Sequence, residues 1–199
     1  VKKIIYKYLP FLFLILLSFG FFWKFFLKGL IPFPGDLLVG AYYPWLESKW
    51  GFVVGVPVKN PLISDVFSQL YIWKDMLVTS IKELTLPLWN PTMYSGYPLL
   101  ANFQSGFLNI FNIFPLIFGM VKGWGLMMWG QVAGSCLTMY FLLKRYKYST
   151  VACLLGSVIY SFGGFPVVWM EYATVGQAMV WVPLVLLAIE NTSFFWLPL

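Results

Sequence analysis

The sequence has little charge. Of its 199 residues 60% are hydrophobic and only 10% are charged, whereas charged residues make up about 25% of a soluble globular domain. This shortage of charge excludes a soluble globular protein. The long apolar runs also exclude an intrinsically disordered chain, because disorder needs a sequence too polar to form a core. The composition therefore predicts a membrane protein.

The sequence also lacks histidine and has only two cysteines, Cys136 and Cys153, both inside apolar runs. No Cys or His cluster has the spacing of metal ligands, so we expect no disulfide, zinc site or histidine-based catalysis. The net charge is +6, and six of the thirteen basic residues lie in two clusters beside apolar runs. Such clusters are a topology signal, and we predict no nucleic-acid partner.

Four apolar runs are long enough to cross a bilayer, which needs about 20 residues of helix. They predict transmembrane helices at 8–27, 124–143, 149–168 and 173–189. One basic cluster precedes the first helix and the other separates the second from the third: Lys2, Lys3 and Lys7, then Lys144, Arg145 and Lys147. The positive-inside rule therefore places the amino terminus in the cytoplasm. The predicted fold class is an all-α polytopic membrane protein.

Residues 33–123 then form a large loop outside the cytoplasm. The apolar run Phe107–Val121 inside this loop is short and contains two asparagines and a proline, so we interpret it as interfacial or re-entrant. Further upstream, apolar residues recur with helical spacing and predict short helices on the membrane surface. They are Val66, Leu70, Trp73 and Leu77. The segment Leu86–Gly106 has too many prolines and glycines for a helix and predicts an extended, turn-rich structure facing neighbouring protein or a ligand such as a sugar.

Five of the seven acidic residues lie in this loop, and two of them are candidate catalytic groups. Asp65 and Gln69 are four residues apart, so a helix would present both on one face. There Asp65 could act as a general base or hold a cation, or it could cap the helix. Asp36 follows Pro34 and Gly35, where it could be a catalytic acid at the lipid interface or simply start a turn or helix.

The remaining charged residues are weaker candidates. Glu171 lies between aromatic residues in a short outer turn, where it either marks the interface or acts as a functional carboxylate. A run of alternating charge is typical of a solvated helix face. It consists of Lys74, Asp75, Lys82 and Glu83.

The loop also carries a recognisable set of motifs. Its central stretch reads LPLWNP from Leu86, then SGYP from Ser95 and QSG from Gln104. This stretch resembles the outer-loop signature of the YfhO-like bacterial membrane proteins. The upstream residues Asp65, Gln69, Tyr71 and Trp73 resemble that family's acid and aromatic motif. The later run from Trp181 to Leu184 resembles its Trp-x-Pro-Leu helix.

The resemblance implies a GT-C fold glycosyltransferase in the bacterial plasma membrane. Such an enzyme transfers a sugar from a polyprenyl-phosphate carrier to an extracytoplasmic glycan or lipid acceptor. In that fold a carboxylate of the first outer loop is the catalytic base, which implies catalytic roles for Asp65 and Asp36. Residues implied to bind substrate are Gln69, Trp89, Asn90, Tyr97, Gln104 and Glu171. The leaving phosphate would be stabilised by Lys59, by Lys74 or by a divalent metal held by the acids, and no cofactor other than such a metal is implied.

The alternative function is non-enzymatic, as a membrane component of lipid or polymer transport or assembly. Transporters usually carry charged or broken helices at mid-membrane. The mid-span polar residues here are few, chiefly Gln131 and Gln177, and this favours surface chemistry. After Glu190 the sequence ends in a renewed apolar stretch, from which we expect an amino-terminal fragment of a longer protein.

Overall fold

The computed structural model describes the backbone of residues 2–196 and the side chains of residues 8–190. Two sequence features lie outside the described side chains. They are the amino-terminal lysine cluster, on which the predicted orientation partly rests, and the apolar stretch after Glu190.

The described residues are mostly helical, which confirms the all-α prediction. The α-helices are α1 (Lys2–Phe21), α2 (Trp23–Lys28), α3 (Gly35–Ala41), α4 (Tyr71–Lys82), α5 (Ile113–Arg145), α6 (Thr150–Phe162), α7 (Gly164–Trp169) and α8 (Val175–Trp196). Strands β1 (Trp89–Asn90) and β2 (Tyr97–Pro98) form one small antiparallel hairpin. Short 3-10 helices cover Trp45–Gly51, Phe103–Ser105, Ile110–Asn112 and Met170–Tyr172, and Val66–Leu70 is one turn of π-helix.

The chain divides into two compact units. One unit, here called the insert unit, spans Pro32–Trp124, so that its bounds lie one residue outside the predicted outer loop at each end. The other, the helix unit, combines the segment up to Ile31 with the residues from Gly125 onward.

The helix unit buries polar side chains and exposes apolar ones. Its buried polar residues are Ser18, Gln131, Ser135, Thr138, Ser157, Ser161 and Gln177. Large aliphatic side chains on α1, α6 and α8 are exposed to the surroundings. Examples, with the exposed fraction of each residue, are Leu16 at 58%, Val151 at 75% and Ile159 at 64%. Polar bonds tie its helices together: Gln131 Nε2 donates to the Met170 carbonyl at 2.8 Å, and Tyr160 Oη donates to the Met179 carbonyl at 2.8 Å.

One helical stretch among the described residues, Ile110–Arg145, is long and apolar enough to cross a bilayer. Helix α6 and the stretch Gly164–Tyr172 pass the same test only as a pair bent by 41°. Tyr8–Phe21 and Val175–Glu190 are shorter apolar helices. The prediction of four spans therefore stays a prediction.

Helix α5 is sharply bent near its start. Gly119 has φ +76° and ψ 164°, a conformation that is essentially restricted to glycine. The bend folds the chain back on itself, because a Cβ placed at Gly123 would lie 2.3 Å from Cα of Pro115. The segment Phe107–Val121 therefore consists of 3-10 turns and a bent helix start, and residues 120–145 form the continuous part of α5.

The insert unit is organised around α4. The four apolar residues that predicted a helix here are all buried, Val66 and Leu77 completely. Downstream, Leu86–Gly106 contains only the hairpin and one 3-10 turn, as its prolines and glycines predict. The rings of Phe33 and Tyr71 both contact Trp124, with centroids 6.0 and 5.3 Å away.

Candidate functional site

Asp65 lies at the entrance to the π-turn that leads into α4. Its side chain is exposed and makes no capping hydrogen bond, so the structure does not support the capping interpretation. Instead, Asp65 Oδ1 accepts a hydrogen bond from Gln69 Nε2 at 3.2 Å, as the spacing of four residues predicts. Within the described part of the chain no hydrogen bond occupies Oδ2. One oxygen of the carboxylate is thus oriented by an amide and the other can accept a proton.

Asp36 starts helix α3 and holds a neighbouring segment in place. Its Oδ2 accepts a hydrogen bond from the backbone N–H of Lys59 at 2.9 Å. Close packing reinforces the contact, because a Cβ at Gly40 would lie 2.7 Å from the Val56 carbonyl oxygen. Of the interpretations open from sequence, the structure shows Asp36 in the first turn of a helix, where it positions the segment 56–59.

Lys74 is buried, and the prediction of a solvated Lys74 is wrong. Its side chain is 2% exposed and its Nζ donates to the Ser105 carbonyl at 3.0 Å and to Asn112 Oδ1 at 2.8 Å. The amide of Asn112 in turn donates to the carbonyls of Gly106 and Phe107. Burial lowers the pKa of Lys74 to about 8, and neither of its acceptors carries a charge. Because Lys74 is committed to this network, Lys59 remains the cation candidate for a leaving phosphate.

The hairpin brings three of the predicted substrate-binding residues together. In register, Trp89 pairs with Pro98 and Asn90 with Tyr97. Asn90 is fully buried, and its Oδ1 accepts bonds from the backbone and hydroxyl of Thr92 at 2.8 and 2.7 Å. Trp89 points the other way and is 55% exposed. Asn90 therefore shapes the turn, whereas the ring of Trp89 lies at the surface.

The last two predicted residues lie apart from these groups. Gln104 is exposed on the 3-10 helix Phe103–Ser105, where its backbone N–H donates to Asn102 Oδ1 at 3.1 Å. Glu171 is half-buried in the turn Met170–Tyr172 and belongs to the helix unit, whereas the other predicted site residues belong to the insert unit.

The described residues do not supply a ligand set for a resident metal. No three Asp, Glu or Cys side chains between residues 8 and 190 lie close enough together to hold one. In particular, Asp36 and Asp65 each have their own separate partner, the Lys59 amide and Gln69.

No family model, curated protein or solved structure matches the chain. Membership of the YfhO-like family thus stays a prediction that rests on the motifs in the sequence.

Proposed function

We propose that the chain is part of a polytopic membrane glycosyltransferase that acts outside the cytoplasm. The feature that carries this proposal is the Asp65–Gln69 pair. Exposed carboxylates oriented by a neighbouring side chain are suited to general-base catalysis, because one oxygen is fixed and the other is free to accept a proton. The sequence around the pair, which includes Tyr71 and Trp73, carries the motif on which the YfhO-like resemblance rests.

In the proposed reaction an acceptor hydroxyl approaches Asp65. As its oxygen forms a bond to the anomeric carbon of the donor sugar, its proton passes to Asp65 Oδ2. The bond between the anomeric carbon and the carrier phosphate breaks, and the phosphate leaves with the bonding electron pair. Direct displacement of this kind inverts the anomeric configuration. Asp36 is a positioning residue, because it holds the segment that carries the exposed Lys59. The charge of Lys59 would stabilise the leaving phosphate.

A multi-pass location in a bacterial plasma membrane is supported by the reversed polarity of the helix unit. Clusters of exposed Leu, Ile and Val beside buried Ser and Gln are costly in water and favourable in lipid. Loop residues of the insert unit are also strongly exposed and apolar, Phe103 at 96% and Leu108 at 92%. They line part of a cavity of about 480 Å³, and their chemistry suits the isoprenoid chain of a polyprenyl-phosphate donor.

A transport or assembly component is the second candidate. Transporters usually carry charged or broken helices at mid-membrane, whereas the polar residues in the predicted spans here are few, chiefly Gln131 and Gln177. Gln131 is bonded to the Met170 carbonyl and packed against Gly176, where a Cβ would lie 2.6 Å from Gln131 Oε1. This residue stabilises helix contacts, which favours the enzymatic function.

The proposal predicts that Asp65→Asn abolishes sugar transfer in the full-length protein. Asparagine keeps the size of the side chain and its contact with Gln69 but cannot accept the proton, so the rate should fall by roughly 100-fold or more. Transfer is measured with a polyprenyl-phosphate sugar donor. The matched control is Glu47→Gln, which neutralises another exposed acid of the insert unit and should leave the rate unchanged. Wild-type turnover in Asp65→Asn would refute the assignment.

A further inference from the structure

A groove runs beside α4 on the side of the hairpin. Its volume is about 330 Å³, at the lower end of the range for small-molecule sites. Helix α4 contributes four lining residues and the hairpin region three. These are Asp75, Met76, Thr79 and Ser80, then Pro87, Trp89 and Leu99. The groove therefore combines an aromatic ring with a carboxylate and two hydroxyls.

Trp89 forms a rigid platform in this groove. A Cβ placed at Gly96 would lie 2.4 Å from Trp89 Nε1, so the indole packs directly against the glycine backbone. Gly96 also has φ +100°, which a side chain would disfavour. Because the hairpin holds the ring in place while leaving it half-exposed, little ordering is needed when a ligand packs on it.

The polar groups of the groove are arranged along one side of α4. Asp75 and Thr79 are both exposed and lie four residues apart, which places them on the same helix face. The carboxylate accepts hydrogen bonds from hydroxyls, and Thr79 and Ser80 can both donate and accept. Asp75 is the one charged residue among those that line the groove, so an anionic ligand is disfavoured. A quaternary ammonium ion is typically held by several aromatic rings, and the groove has one ring and two hydroxyls.

We propose that this groove binds a neutral saccharide, with the apolar C–H face of a sugar ring on Trp89 and its hydroxyls on Asp75 and Thr79. The further statement that this saccharide belongs to the acceptor rests on the proposed function. Asp65 and Asp75 are ten residues apart along helical chain, a separation of roughly 15 Å. The groove thus holds a sugar unit some distance from the reacting hydroxyl, and acceptors of two or more units should bind better than monosaccharides.

The test is ligand-observed saturation-transfer NMR on the full-length protein in detergent. The probes are three neutral disaccharides, maltose, lactose and N,N′-diacetylchitobiose, with glucuronic acid and tetramethylammonium as anionic and cationic comparisons. At least one disaccharide should bind, and Trp89→Ala should raise its Kd by at least about tenfold, because the variant loses the aromatic face on which the sugar ring packs. Asp75→Asn should raise the Kd by about tenfold without disturbing the hairpin, since Asp75 is exposed on a helix.

Trp50→Ala is the control, because Trp50 is a similarly exposed tryptophan of the insert unit at 52%. It should leave the Kd unchanged. The proposal is overturned if no disaccharide binds, if glucuronic acid or tetramethylammonium binds more tightly than the disaccharides, or if both groove variants bind like the wild type.

Saccharide binding in the groove and sugar transfer by Asp65 can be tested separately. Asp65→Asn should still bind the disaccharide, because Asp65 does not line the groove. Trp89-dependent binding without any sugar transfer would overturn the proposed function and leave the groove intact. Transfer that depends on Asp65 but has an unchanged acceptor KM in Trp89→Ala would overturn the assignment of the groove to the acceptor and leave the proposed function intact.

Discussion

At the residue scale, sequence spacing predicts contacts between residues close together in the chain but not contacts between distant ones. The hydrogen bond between Asp65 and Gln69 follows from their separation of four residues. The burial of Lys74 could not be predicted, because its acceptors, the Ser105 carbonyl and Asn112, are 31 and 38 residues further along the chain. Next to Asp75, Lys74 looked like part of a charged surface. Instead its ammonium group fixes the loop 105–112 to α4.

Lys74 predicts a distinct pH dependence of stability. Its pKa is about 8 in the folded protein and about 10.4 in an unfolded chain. Between these values the unfolded state binds more protons, so stability rises with pH, by up to about 3 kcal/mol. The burial penalty is complete below about pH 8 and absent above the unfolded pKa. Thermal unfolding in detergent between pH 7.5 and 10.5, followed by tryptophan fluorescence, would measure this effect.

Lys74→Gln is the matched comparison for this measurement, because glutamine keeps a donor for the buried acceptors but does not titrate. It should remove the part of the pH dependence that is due to Lys74, whereas Lys82→Gln, at an exposed position of the same helix, should not. If all three proteins showed the same pH profile, Lys74 would not be a buried cation.

At the element scale, helices were predicted well where their apolar residues recur regularly and less well where the chain bends. The stripe from Val66 to Leu77 predicted α4 and its buried face. The start of α5 was harder, because a single glycine at φ +76° decides whether residues 113–145 form a straight helix. The residues on either side of Gly119 are apolar and do not form a turn motif. The bend is stabilised by the close approach of Gly123 to the backbone of Phe114 and Pro115.

Gly123→Ala should therefore destabilise the protein. The added methyl group would meet backbone atoms, which cannot rotate away, and overpacking of this kind costs about 1–3 kcal/mol. Gly20→Ala is the control, since a Cβ there meets nothing within 4 Å and Gly20 lies inside α1. Melting temperatures in one detergent should fall for Gly123→Ala and stay level or rise for Gly20→Ala. Equal melting temperatures for both variants would mean that the α5 bend opens freely.

At the scale of the whole molecule, the composition predicts a membrane protein and the basic clusters predict an orientation, which no contact among the described residues tests. The turn after α5 carries Tyr146, and a hydrogen bond to the Glu190 carboxylate raises the pKa of that tyrosine. This contact places the end of α8 beside the turn between α5 and α6. The positive-inside rule predicts that this turn, and with it the end of α8, faces the cytoplasm.

Single cysteines test this orientation. With membrane-impermeant reagents, Ser95→Cys should react only from outside and Tyr146→Cys only from the cytoplasmic side. Both positions are exposed, and the two native cysteines are buried, so background labelling should be low. Labelling from the opposite sides would reverse the topology and move the acids of the insert unit into the cytoplasm.

The central claim is that Asp65 accepts the proton of the acceptor hydroxyl while that hydroxyl directly displaces the carrier phosphate. The measurement that tests it most directly is sugar transfer by the full-length protein from a polyprenyl-phosphate donor of known anomeric configuration, with the product's configuration determined by NMR. We expect the wild type to give product of inverted configuration and Asp65→Asn to give none. A product of retained configuration, or equal amounts of product from the two proteins, would contradict the claim.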